Sequence, residues 1–172
     1  MASPPPTASK VEARKAARQL LREMTPEYVA DQSRSVCARV ASLPAFRMCT
    51  GVAIYLPMVD GRELDTWPLV EEMYLTQKRR VYVPKVEADG TMRLLHVPTL
   101  TEARSLPPNK WKCPEHTHEM AAGRSDATVS GEIDLVIVPA MLFAPATLTR
   151  LGRGKGFYDR FLERLDADRA GR

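Results

Sequence analysis

The sequence predicts an α/β fold, a three-layer sandwich with a mostly parallel sheet, and three observations carry that expectation. Short runs rich in β-branched and aliphatic residues at 52–56, 81–83 and 133–138 read as strands. Stretches with apolar residues at helical spacing alternate with them, the order expected of parallel strands joined by helices. The chain has 172 residues, 44% apolar and 27% charged, with no internal repeat. That size fits one domain able to bury roughly two-thirds of its unfolded surface.

Taken in order, residues 1–9 contain a Pro-Pro-Pro run and no cation, and read as a disordered start. They have neither the apolar core of a signal peptide nor the arginines of a transit peptide, so the domain is expected over 10–172, in the cytoplasm. From Lys10 to Met24 the residues Val11, Ala13, Ala17, Leu20, Leu21 and Met24 form a helical stripe with cations opposite. Thr25-Pro26-Glu27 supplies a cap, a first-turn proline and an early acid for a second helix that runs to Leu43 and stops at Pro44. Val52 to Leu56 is continuous enough for a strand buried on both faces. A polar turn at Asp60-Gly61 precedes a helix from Thr66 to Gln77 with Leu69, Val70, Met73 and Tyr74 inward. Val81–Val83 and a weaker Met92–Val97 follow as strands. Prolines at 107, 108 and 114 with scattered Ser, Thr and Gly make 99–131 an irregular excursion. Ile133–Val138 is the strongest strand of the chain, and after a loop Phe157–Leu165 reads as a helix.

Several classes are excluded. No apolar run nears the roughly 20 residues that cross a bilayer. Three cysteines, 37, 49 and 113, fit free thiols in a reducing compartment better than a disulfide framework. The net charge of +4 is confined to two segments. Residues 10–23 hold five cations against two acids and residues 150–160 four against one, so the remainder is mildly acidic. Two local basic sites suit a compact polyanion better than a nucleic-acid backbone, and 6% aromatic residues give no stacking platform. Cys113, His116 and His118 could ligate zinc, but their spacing matches no common module.

The chemistry concentrates in Arg150–Phe161, RLGRGKGFYDRF. Gly152, Gly154 and Gly156 let successive N–H groups converge on an anion, Arg150, Arg153 and Lys155 add charge, and a helix N-terminus adds its dipole. The string is neither a Walker loop, which would need glycine at Thr149 and a hydroxyl at Gly156, nor a dinucleotide fingerprint. Asp159, one turn into the helix, can share a magnesium ion with a phosphate or simply stabilise the helix start.

RLGRGKGFYDRFL resembles the C-terminal signature of the 5-formyltetrahydrofolate cyclo-ligase family, also called methenyltetrahydrofolate synthetases. SKVEARKAARQLLREMT resembles its opening helix, VAIYLPMVDGRELDT, VYVPKV and DLVIVPAMLF its strands, and LPPNKWKCPE an intervening loop. The resemblance implies ATP- and magnesium-dependent closure of 5-formyltetrahydrofolate to 5,10-methenyltetrahydrofolate, releasing ADP and phosphate. It implies catalytic roles for Arg153 and Lys155. ATP would be held by Lys10, Arg14, Arg150, Gly152, Arg153, Gly154, Lys155, Gly156, Phe157 and Tyr158. The folate would meet Leu56, Glu63 and Trp111, and Mg2+ would meet Asp159. No nucleic acid or membrane partner is expected, and the protein is expected to act as a monomer. The sequence departs from the family pattern at Ala140 and Ala144, and only thirteen residues follow Asp159. The family's closing strands are therefore expected to be missing, and the alternative reading is a noncatalytic or truncated paralogue that binds nucleotide without turnover.

Overall fold

The computed structural model describes residues 9–59, 63–76 and 79–170. The expected turn at Asp60-Gly61, residues 1–8 of the expected disordered start and position 77 lie outside them. Ser9 caps the first helix, α1 (Lys10–Glu23): its hydroxyl accepts from the Glu12 N–H while the Glu12 carboxylate accepts from the Ser9 N–H. Helix α2 (Pro26–Ser42) begins as the sequence predicts, with Thr25 Oγ1 accepting from the Tyr28 N–H and Pro26 at the first position. Pro44 ends α2 and also opens a further short helix, α3 (Pro44–Met48). The same fixed φ that stops one helix suits the first turn of the next.

The main sheet has four strands, β1 (Gly51–Ile54), β2 (Arg80–Val86), β3 (Met92–Val97) and β4 (Leu135–Ile137), in the order β3-β2-β1-β4. β1 is parallel to both β2 and β4, while β3 returns antiparallel along β2. Side chains alternate as a pleated sheet requires. Val52, Ile54, Val81 and Val83 face one core with α2, α3, α4 (Trp67–Leu75) and α5 (Leu100–Ser105). Ala53, Tyr82, Met92 and Leu94 face a second core with α7 (Ala127–Ser130) and α8 (Phe157–Ala170). The result is the expected three layers, with helices on both faces of a mostly parallel sheet.

Three expectations are corrected. Ile133–Val138, the strongest strand expected, pairs only over Leu135–Ile137, the shortest strand of the main sheet, at its edge, and these three residues are half-buried. Local apolarity reports strand propensity, not position in the sheet. The excursion at 99–131 contains α5, α6 (His118–Ala121) and α7, each capped by a Thr or Asp side chain. These helices are too short for periodicity to reveal. The loop expected after β4 forms a separate hairpin, β5 (Leu142–Ala144) with β6 (Thr149–Leu151).

β1 passes so close to the segment ahead of β4 that a Cβ at Gly51 would stand 1.8 Å from the Glu132 carbonyl oxygen. Gly51→Ala is therefore expected to cost about 2–3 kcal/mol by overpacking, read as a lowered urea midpoint at unchanged slope.

Candidate functional site

The two parallel neighbours of β1 place the carboxyl ends of β1, β2 and β4 on the same side of the sheet, where open α/β folds bind their ligands. A cleft of about 350 Å³ lies there. Tyr55, Leu56 and Met58 reach it from beyond β1, Pro84 and Val86 from β2, and Pro139 and Ala140 from beyond β4. The glycine-basic loop and the first turn of α8 close another side, and Trp111 walls it.

The loop geometry follows from its glycines. Gly154 and Gly156 have φ of +107° and +68°, a region side-chain-bearing residues rarely adopt, so the chain reverses tightly just before α8 begins at Phe157. Arg14 arrives from α1, 138 residues away in sequence, and its Nε donates to the Gly152 carbonyl at 3.0 Å. A Cβ at Gly154 would lie 3.4 Å from that Nε, so Arg14 packs against the loop backbone. Arg150 donates to the Pro139 carbonyl at 2.9 Å and pairs with Asp159, tying the loop to the chain beyond β4 and to the first turn of α8.

Glu63 and Arg153 face each other across the cleft at 3.7 Å, and Glu63 also accepts from the Met58 N–H at 3.3 Å. Its side chain is only 14% exposed, and this burial holds its carboxyl above the ordinary carboxylate range despite the opposing pull of Arg153. It does not cap α4 (Trp67–Leu75), whose first N–H, on Trp67, donates instead to the Asp65 carboxylate two residues back. Trp111 meets Phe157 with ring centroids 5.5 Å apart at 56°, and the Arg150 guanidinium lies 5.9 Å from the Tyr158 ring centroid. Burial pushes the Tyr158 phenol far above its usual range, so it stays protonated.

Eleven of the fourteen sequence-predicted residues line this cleft: Leu56, Glu63, Trp111, Arg150, Gly152, Arg153, Lys155, Gly156, Phe157, Tyr158 and Asp159. Arg14 and Gly154 do not line it: Arg14 packs against the loop backbone at Gly154. Lys10 is exposed, one turn before Arg14 on α1, and does not line the cleft. Sequence reasoning missed Tyr55, Asn109, Cys113 and Glu115. Glu115 and Asn109 gave no local signal, because what brings them to the cleft is the path of the 106–115 loop. The Cys113 thiol is pushed up to about 11 by burial and stays protonated. Cys113, His116 and His118 do not converge: among the described residues no group of three His, Cys, Asp or Glu side chains could hold a metal. His116 is fully buried with its imidazole kept neutral by that burial.

The loop fits a nucleoside triphosphate: turned glycine backbone, a helix start and the side chains of Arg150, Arg153 and Lys155 meet at one end of the cleft. Asp159 fits a magnesium ion as a single protein ligand, because that ion keeps several waters and is commonly held by one or two carboxylates plus phosphate oxygens.

Residues 6–172 match the profile of the 5-formyltetrahydrofolate cyclo-ligase family. The chain belongs to that family. It is 30% identical over 147 residues to the probable 5-formyltetrahydrofolate cyclo-ligase of Schizosaccharomyces pombe, covering 86% of this chain and 68% of that protein. To the Escherichia coli K12 cyclo-ligase it is 33% identical over 146 residues, covering 85% and 75%. To the mitochondrial cyclo-ligase of Arabidopsis thaliana it is 34% identical, spanning 91% of this chain but 58% of that longer protein. The fold also matches a solved 5,10-methenyltetrahydrofolate synthetase from Mycoplasma pneumoniae, with a TM-score of 0.64 at 21% identity over 91% of this chain and 78% of that one.

The buried Glu63 makes a pH-dependent contribution to stability. A carboxyl whose folded pKa lies above its unfolded one ionises first in the unfolded chain, so the native state loses stability as pH rises from the ordinary carboxylate range through the raised value. Urea denaturation across this range is expected to show Glu63→Gln gaining stability relative to wild type as pH rises, then holding a constant difference above it.

Proposed function

We propose that this protein is an ATP-dependent cyclo-ligase that converts 5-formyltetrahydrofolate to 5,10-methenyltetrahydrofolate. The observation that carries the reading is one cleft with two chemically distinct ends. The glycine-basic loop lies at one end, and a buried carboxylate with an aromatic wall lies against the apolar remainder. Family membership and the cyclo-ligase names of the relatives support it.

On this reading the loop backbone with Arg150, Arg153 and Lys155 holds the triphosphate, Arg14 stiffens the loop from behind, and Lys10 adds charge on the same helix face. Phe157 and Tyr158 pack at the junction between the two ligands. Glu63 receives the amino and ring N–H donors of the pterin as a bidentate acceptor, while Leu56 and Trp111 flank the flat ring. Chemistry then asks the chain mainly to position and to stabilise charge. The transferring phosphoryl group must stand in line with the formyl oxygen, and Arg153 and Lys155 are the cations placed to meet the charge that develops. Magnesium, when bound, would neutralise phosphate charge, with Asp159 as its protein ligand and Arg150 sharing that carboxylate.

Glu63 and Arg153 are coupled in this scheme. As Arg153 turns towards phosphate, the buried Glu63 loses its cation, and the donors of the pterin compensate. The two ligands are thus expected to favour each other's binding. The noncatalytic alternative is less favoured, since both ends of the cleft are assembled. We further take the protein to act as a monomer, because one chain builds the cleft, and in the cytoplasm, because Cys37, Cys49 and Cys113 are all free. Among the described residues no helix is long and apolar enough to cross a membrane.

The deciding experiment follows methenyl product by absorbance on the purified chain with ATP, magnesium and 5-formyltetrahydrofolate. Turnover abolished by a chelator and restored by magnesium is expected, and nucleotide binding without turnover would favour the noncatalytic reading. Lys155 is exposed on the loop, so Lys155→Ala should leave circular dichroism unchanged while lowering kcat by about 100-fold or more. Wild-type turnover in that variant would remove Lys155 from the mechanism.

A further inference from the structure

The loop at 106–115 that carries Trp111 is anchored by a polar network that neither its composition nor the proposed chemistry requires. Lys85 and Glu115 form an ion pair at 3.4 Å with both side chains about 10% exposed. The other Glu115 oxygen accepts from the Val86 N–H of β2 at 3.2 Å and from Asn109 Nδ2 at 2.9 Å. Asn109 Oδ1 in turn accepts from the N–H groups of Trp111 at 2.8 Å and Cys113 at 3.1 Å. Asn109 also exchanges backbone bonds with the Cys113 carbonyl and the Lys112 N–H, each 2.8 Å long. Lys112 sits at φ +65°, and its carbonyl accepts from the Val59 N–H at 2.9 Å, beyond β1. Trp111, at the tip, presents its ring to Phe157 across the cleft.

Burying an ion pair is expensive, and well-packed apolar residues of similar volume commonly stabilise a fold as well or better. The pair is therefore weak as a device for stability and strong as a device for geometry, since a chain of satisfied hydrogen bonds admits one arrangement. It runs without a gap from β2 through Glu115 and Asn109 to the backbone N–H of Trp111. We infer that Lys85, Glu115 and Asn109 are positioning residues that hold Trp111 as a fixed wall for the flat ring of the folate substrate. Asn109 and Glu115 also line the cleft, but their hydrogen bonds run to the backbone of the Trp111 loop, and through Trp111 the network sets affinity for that substrate while the glycine-basic loop is untouched. The inference rests on the cyclo-ligase reading for its ligand and on the structure alone for the fixed indole.

The test uses a Trp67→Phe background, in which Trp111 is the remaining one of two tryptophans. Replacing Lys85 by Met together with Glu115→Met removes the network while keeping volume and leaving no unpaired charge. Acrylamide quenching of Trp111 is expected to rise at least about twofold and KM for 5-formyltetrahydrofolate about tenfold, with KM for ATP little changed. Combining Lys85→Met with Glu115→Gln keeps an amide oxygen for Asn109 and Val86, and is expected to restore both readings. Asn109→Ala, which leaves the ion pair intact, should reproduce the losses. Unchanged quenching and folate KM in the double Met variant would overturn the inference. So would parallel losses in both KM values that track a fall in Tm, since they would make the network a general support of the fold. Were the wild-type chain to show no turnover, the cyclo-ligase reading would fail while the quenching series still decided whether the network fixes Trp111.

Discussion

The placement of β1 at the centre of a parallel triplet is the constraint from which the site follows. Because β2 and β4 both run alongside it in the same direction, three chain segments emerge at one edge, and their continuations enclose a common volume. Close approach makes this possible, as Gly51 shows where β1 meets the segment ahead of β4. Burial of Val52 and Ile54 on one face and Ala53 on the other holds the strand between two cores. The sheet is thus both the main buried structure and the template that aims the loops lining the cleft.

Charge in the cleft is organised as opposed pairs. Arg153 faces Glu63, Arg150 faces Asp159, and Lys85 faces Glu115. The cations of the first two pairs sit on the glycine-basic loop and would serve the triphosphate in the proposed reaction, and the third pair joins Lys85 of β2 to Glu115, which lines the cleft in the loop that carries Trp111. Exposure separates them: each of the first two pairs has one exposed member, Arg153 at 50% and Asp159 at 61%, whereas both members of the third are about 10% exposed. A half-solvated guanidinium between glycines can change partners at modest cost, while a buried pair that loses one member leaves an uncompensated charge.

Much of this was legible in the residues themselves. The alternation of strand and helix signals, Thr25-Pro26-Glu27 as a helix start, and the inward stripe Leu69, Val70 and Met73 all reflect local rules that tertiary contacts did not override. The glycine-basic string was readable because its chemistry is local: glycine freedom, cations and a helix start within a dozen residues. Arg14 joined it only through resemblance, since no local rule links positions 138 residues apart.

What the sequence by itself determined, then, was the long helices, the strands of the main sheet, the fold class and the glycine-basic character of the 150–156 loop, because each rests on dihedral preference, periodicity or charge within one segment. Tertiary structure alone decided that Leu135–Ile137 would be a half-buried edge, since edge or centre depends on which strands pair. It also decided that 99–131 would be capped helices and a tethered loop, and that Glu115 and Asn109 would hold the backbone of Trp111. Burial and partner choice are properties of the assembled chain, and a residue acquires them only when distant segments meet.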